Sequence, residues 1–381
     1  MSSSVTEQTM AVRVPHSIDG HKFWAVIIAI DDYKMSPLRA CVSDAEMVVK
    51  YLSDDLHVPG DHIQLLLSAD IKRCTVSENK PPTRANIVNT IFGLSTNAGI
   101  QRGDNIIIYF AGHGTTYNCD DYYNNKDGTA AMLGNIDALC PMDRGPQCGA
   151  VTKTADTNDA KNSVTTSDPQ VPDISDREIN VILAEIARNK GDHITFIVDC
   201  CHSASITRGL MPTQEGVRSI IQLPSSSIPA MFRAADETLK HLDGYQSISK
   251  ADWKFDMDSH VVLAACKEFE YAKEVEGDRR FNGVFTQALI SALKSVDLND
   301  KSMTYYNLLE KLPWNATQHP VVAGKHKGSR LWFQDCDSSR SKASSDQPPL
   351  HTPGGASRTS LDRHFPRLFK FFNRFIELFR W

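Results

Sequence analysis

Short apolar runs punctuate the chain, and each gives way to a turn or a helical pattern. "FWAVIIAI" (23–30) is continuous, as a strand buried on both faces would be. In "SDAEMVVKYL" Ser43 and Glu46 have capping-box spacing, and Ala45, Val48, Val49 and Leu52 fall on one helical face. "HIQLLL" (62–67) reads as a second strand. After Pro81 and Pro82, "TRANIVNTIFGL" offers Thr83 as a cap and Ile87, Ile91 and Leu94 as a buried stripe. "NIIIYF" (105–110) and "HITFIV" (193–198) are further strands. Between them, "SDREINVILAEIAR" repeats the capping box at Ser175 and Glu178. "HVVLAAC" (260–266) returns to strand character, "FTQALISAL" and "YYNLLEKL" look helical, and "SRLWF" (329–333) reads as a last strand. Strands linked by helical crossovers predict an α/β fold with a mostly parallel sheet covered on both faces.

Two stretches break the pattern. Residues 115–172 are rich in Asn, Asp, Gly and Thr and read as a long surface insertion. Residues 206–258 carry Pro212, Pro224, Pro229 and a run of serines and read as an irregular linker. The expected organisation is a flexible N-terminus (1–20), one domain over 21–335, a Ser/Pro-rich linker (336–361) and a terminal helix (362–381). In that helix Phe365, Leu368, Phe369, Phe372, Phe375, Ile376 and Phe379 share one face. Arg363, Arg367, Lys370 and Arg374 share the other. Such a basic amphipathic segment suits a membrane surface or a partner's groove.

Composition narrows the choice. Forty-one Lys and Arg against 46 Asp and Glu give a formal charge of −5, which argues against nucleic-acid binding. The nine cysteines show no repeated zinc spacing and no disulfide-scaffold density. With no apolar signal core in residues 1–20, a reducing, cytoplasmic setting is expected.

In an open parallel sheet, ligands gather beyond the carboxyl ends of the strands. Two such ends carry chemistry here. "IIIYFAGHG" ends in His113 between two glycines, and "TFIVDCCHS" ends in Asp199, Cys200, Cys201 and His202. Glycines beside His113 allow a sharp bend and leave an N–H exposed for an oxyanion. If extended geometry persists, Asp199 and Cys201 face one side and Cys200 the other. Packing is the ordinary role of a cysteine at a strand end, and it is the reading taken for Cys74, Cys200, Cys266 and Cys336. A tyrosine-phosphatase loop fails on spacing, because six residues separate Cys201 from Arg208. Neither a G-x-S-x-G elbow nor a phosphate-binding P-loop is present.

"YFAGHG" followed by "DCCHSAS" resembles the His and Cys motifs of caspase-type cysteine peptidases, the metacaspase branch most closely. "ACVSDA" (40–45) is similar to that branch's G-C-x-N-D-A segment, "GVFTQAL" to its small-subunit helix, and "QHPVVAG" to its ending. The similarity spans residues 22–333. It implies a caspase-like three-layer α/β/α sandwich, with 21–205 as the large-subunit part, 206–258 as the linker and 259–335 as the small-subunit part. It also implies a monomeric endopeptidase acting on protein or peptide substrates, linked to programmed cell death. Cys201 is then the nucleophile, His113 the acid–base, and the N–H groups of Gly114 and Cys201 the oxyanion donors.

Asp44, Asp199 and Cys41 match the first substrate pocket, where two carboxylates favour cleavage after Arg or Lys by Coulomb sign. Arg39 beside them carries the opposite sign, and Ala40, Ser43, Ala111 and Ala204 depart from the branch's pattern. Self-processing after Arg208, Arg218, Arg233, Lys240 or Lys250 is the implied activation. "CPMD" with Asp143 is similar to a calcium-activation element, for which loss of activity in EGTA is the test. The chemistry itself needs no cofactor. The competing reading is an inactive caspase-like scaffold, from which Cys201→Ala would remove nothing.

Overall fold

The computed structural model describes residues 18–70, 78–118, 135–146, 170–201, 216–250, 252–267, 270–277, 280–298, 300 and 302–334. The linker at 336–361, the terminal helix at 362–381, Arg208 and His202 lie outside them, as do Cys74 and Cys336. The strands are β1 (Phe23–Ala29), β2 (Ile63–Leu67), β3 (Asn105–Ala111), β4 (Gly114–Tyr117), β5 (Ile136–Leu139), β6 (Gly145–Pro146), β7 (Gln170–Val171), β8 (Ile174–Ser175), β9 (Ile194–Asp199), β10 (Val261–Ala264), β11 (Glu274–Glu276), β12 (Phe281–Gly283) and β13 (Val321–Ala323). The helices are α1 (Cys41–Lys50), α2 (Arg84–Gly93), α3 (Asp176–Lys190), α4 (Ile228–Leu239), α5 (Val284–Ser295) and α6 (Tyr305–Glu310).

Six strands form the central sheet in the order β13-β10-β9-β3-β1-β2, parallel except for β13. The apolar runs pair as the sequence predicts, because a strand buried on both faces must be apolar at every position. Val26 through Ile30 and Ile106 through Ala111 are all but inaccessible. Chain order reverses at β1, with β2 on one flank and β3 on the other, so the functional crevice belongs at the carboxyl ends near that switch. The register Ala29↔Ala111↔Asp199 brings three strand ends level there.

Helix caps divide into local and distant ones. Thr83 and Ser175 accept from the N–H groups of Asn86 and Glu178, as their spacing predicts. Ser43 does not cap α1. The helix starts three residues earlier because the Asp31 carboxylate, beyond the end of β1, accepts the N–H groups of Cys41 (2.8 Å) and Val42 (3.1 Å). The Ser43 hydroxyl donates to the carbonyls of Ala40 and Phe281 instead. Glu178 likewise leaves its capping box to pair with buried Arg84 at 2.5 Å.

Three expectations change. The start and end of the 115–172 insertion are ordered, with β4, β5 and β8 forming a small antiparallel sheet in which Thr115 and Tyr117 are buried. The linker holds α4, whose Ile228, Met231, Phe232, Ala235 and Leu239 face the core. Pro229 marks the first turn of that helix, where its missing N–H has no helical partner to lose. The "SRLWF" segment is a helical turn with Trp332 at φ 55°, and the last strand is β13. Trp332 packs edge-on to Phe23 and Tyr305. Among the described residues, no helix is long and apolar enough to cross a membrane.

Candidate active site

At the end of β3 the chain turns through Gly112 and places His113 in the crevice, fully buried. The phenol of Tyr33 accepts the His113 N–H at 2.9 Å and donates to the Cys140 carbonyl at 2.9 Å, which fixes the turn. Nε2 of His113 lies 2.7 Å from the Ser36 carbonyl. A carbonyl only accepts, so Nε2 carries the proton and Nδ1 is left as the basic nitrogen of the neutral ring. Among the described residues Nδ1 has no hydrogen-bond partner. Burial holds the ring's pKa down at about 4, so it is neutral at physiological pH.

β9 ends one strand away and delivers Asp199, Cys200 and Cys201. The sulfur of Cys200 lies on the Gly114 side, whereas the Cys201 sulfur receives the Ala272 N–H at 3.0 Å. β9 ends at Asp199 and the chain bends at Cys200, so the extended geometry behind the pleat expectation does not persist to Cys201. A side chain on Gly114 would run into the Cys201 carbonyl, so only glycine permits this approach of β4 to the end of β9.

The residue that organises the crevice is Arg218, from the linker. Val217 and Ser219 form isolated β-bridges there, to Lys273 and Gly114. Arg218 N donates to the Ala272 carbonyl (3.0 Å) and Glu274 N to the Gly216 carbonyl (2.7 Å), with Val217 opposite Lys273. The Arg218 carbonyl accepts from the N–H groups of Cys201 (3.2 Å) and Gly114 (3.4 Å). The same carbonyl lies against the His113 ring and favours its protonation, which burial opposes. Cys201 and His113 thus meet at one bound carbonyl.

The Arg218 side chain is wholly enclosed. Its guanidinium pairs with Asp44 through Nη2, with Asp199 through Nη1 at 2.7 Å, and with Glu274, whose Oε1 is 3.5 Å from Nε. Burial works against that charge, but Asp199 and Asp44 hold it well above the ordinary guanidinium range. Burial pushes Asp44 up to about 7, against the pull of Arg218. Each acid is anchored from behind. Gly283 N donates to Asp44, and Thr286 donates to Asp199 at 2.6 Å while itself bonded to Tyr109. Glu274 accepts the N–H groups of Arg39 and Ala40. A Cβ on Gly283 would stand 2.8 Å from both Asp199 and the guanidinium, so the pocket floor requires glycine.

Of the residues singled out in the sequence, Asp44, Asp199, His113, Gly114 and Cys201 converge on this pocket. Cys41 lies at its rim, 3.8 Å from Glu274. Arg39 holds its guanidinium over the Phe281 ring, 5.2 Å from the centroid. Asp143 stands apart, accepting the first helical N–H of α2 from Arg84. Among the described residues it belongs to no cluster of three His, Cys, Asp or Glu side chains whose ligand atoms converge, and the acid-rich stretch 120–128 lies outside the described residues. Glu274, Ser36 and Tyr33 escaped the sequence reading, and Arg218 was one cation among five.

Residues 22–313 match the caspase domain of the peptidase C14 family. No curated protein matches the chain. Among solved structures it is similar to protein GSU0716 from Geobacter sulfurreducens, with 16% identity and a TM-score of 0.48 over 81% of this chain and 98% of that one. It is also similar to caspase-1 from Spodoptera frugiperda, with 11% identity and a TM-score of 0.39 over 84% of this chain and 94% of that one. The sheet described above lies inside the matched span, except for β13, and so does the whole crevice. The chain belongs to the caspase-domain family of peptidases.

Proposed function

We propose that this chain is a metacaspase-like cysteine endopeptidase that cuts after Arg or Lys and processes itself. One observation carries the reading: Arg218 lies in the crevice as a substrate residue would, its carbonyl on two N–H donors and its cation among three carboxylates. In this reading Cys201 attacks the carbonyl carbon and the two N–H groups hold the oxyanion. His113 Nδ1 takes the thiol proton and gives it to the leaving amine, and water then hydrolyses the thioester. The Ser36 carbonyl keeps the ring in the tautomer this requires. Fluorogenic peptides ending in Arg, Lys or Asp test it. The expected result is hydrolysis after Arg and Lys alone, absent in Cys201→Ala. Cleavage after Asp would overturn the pocket assignment, and equal rates in wild type and variant would overturn the nucleophile.

Glu274 gives a narrower test. Its carboxylate faces the Nε of arginine, where a lysine presents a methylene. Glu274→Gln is expected to lower kcat/KM for an Arg peptide by about tenfold (~1.4 kcal/mol), mostly through KM. The Lys peptide should lose less. Steady-state kinetics on the paired substrates read this directly.

A further inference from the structure

The geometry points to Arg144 and Tyr117 as a second substrate subsite, which grips the backbone of the third and fifth residues beyond the scissile bond. This rests on Cys201 cutting after Arg218, and it extends that site to the leaving-group side. Past Arg218 the chain runs beside β4, with Ser219 bridged in parallel to Gly114. Ile220 and Leu223 are buried, whereas Ile221 between them is 45% exposed. Pro224 comes next. A residue before proline is confined to extended backbone, so Leu223 stays extended ahead of α4.

Buried Asp173 holds the clamp from behind. It accepts from Nε and Nη2 of Arg144 at 2.7 Å each, a bidentate pair that fixes the plane of the guanidinium. Donors on Nη1 and Nη2 are left over, and both nitrogens lie 3.3 Å from the Ile221 carbonyl. The Tyr117 hydroxyl donates to Asp173 at 2.6 Å. A carboxylate only accepts, so the phenol proton is committed there, and the oxygen is free to accept the Leu223 N–H at 3.3 Å. Asp173 thus orients both members of the clamp.

Both contacts read main chain, and the third side chain faces solvent, so the subsite selects extended shape and length there rather than sequence. Apolar side chains suit the second and fifth positions, where Ile220 and Leu223 are enclosed. The Leu223 side chain lies over Gly145, next to the clamp. The substrate class is therefore a polypeptide that continues in extended form for at least five residues past the cut. In the chain itself that segment is Ser219 to Leu223, and gripping it holds the Arg218 carbonyl on its two donors.

Arg144→Gln alone would leave Asp173 buried without its cation, so the test joins it to Asp173→Asn. Tyr117→Phe, which keeps the ring and removes one hydroxyl, is the second variant. In the full-length chain, the rate constant of self-cleavage is compared with kcat/KM for an Arg coumarin amide, measured once the chains are fully cut. The coumarin carries no residue beyond the scissile bond. The ratio of the two should fall about tenfold in the double variant and about threefold in Tyr117→Phe. A merely structural loss lowers both rates together, and a ratio equal to that of wild type would overturn the proposal. Hydrogen exchange on the uncut Cys201→Ala chain needs no catalysis. Amides of residues 219–223 should lose protection when either variant is added, while those of β3 and β9 keep theirs. Unchanged protection would likewise overturn it. A wild type that cleaves neither itself nor the coumarin, with protection lost as expected, would refute the peptidase reading and leave the clamp on this backbone standing.

Discussion

Purified wild-type protein is expected to appear as two fragments divided between Arg218 and Ser219, the second beginning Ser-Ile-Ile-Gln-Leu, while Cys201→Ala stays whole. The expectation follows from how residues 216–219 are held in the crevice. Of the five basic linker residues singled out as cleavage points, Arg218 is the one whose carbonyl is bonded to the N–H groups of Gly114 and Cys201. Because Cys201 supplies one of those donors, its sulfur is within a side chain's reach of the Arg218 carbonyl carbon. The reaction is intramolecular, so its rate constant should not change on dilution. Its pH dependence reports the group that moves the proton. His113 ionises at about 4, so self-cleavage should hold steady above that pH and fall about tenfold per unit below it as the ring becomes cationic. Terminal sequencing of the fragments over a dilution and pH series checks all three statements. A cut at another linker residue, or a rate proportional to concentration, would detach the bound strand from the activation step.

The second large effect concerns stability. Replacing Arg218 with Gln in the Cys201→Ala background, where no cleavage intervenes, leaves Asp44, Asp199 and Glu274 facing one another without a cation. Removing one partner of a buried charge cluster costs about 3–5 kcal/mol. At this chain length that is a fall in Tm of roughly 4–8 °C. The sign with pH follows from the carboxylates. Burial already lifts Asp44 to about 7 with Arg218 present, and without the guanidinium that carboxyl is raised further. A carboxyl group whose folded pKa exceeds its unfolded value of about 4 favours folding in acid and loses that contribution as pH rises through the folded value. The Tm gap between single and double variants should therefore be wide at pH 7 and narrow at pH 5. Calorimetry at the two pH values decides it. A gap that widens in acid would mean that the acids are not what Arg218 compensates.

How far the sequence led depends on how local each cause is. The strands were legible because burial on both faces writes itself as an unbroken apolar run. His113 and Cys201 were legible because strand ends in a parallel sheet share one edge. Asp44 and Asp199 stand next to such landmarks, on α1 and at the end of β9. Glu274 was not legible, since only the antiparallel pairing of 272–274 with 216–218 brings it under a guanidinium. The start of α1 was misplaced for a related reason. Its cap comes from Asp31, across a turn, while Ser43 has the right spacing and another partner. Pro229 misled in the opposite direction, since a proline that ends most helices also suits the first turn of one.

The fully enclosed guanidinium bears on how such a protein is counted. A tethered group competes at an effective concentration of millimolar order, which few diffusible ligands match. A covalent active-site label bearing an arginine should therefore register only molecules whose own occupant has left. Labelling stoichiometry then measures the history of each preparation rather than the amount of polypeptide in it, and two batches of equal purity can differ in titre.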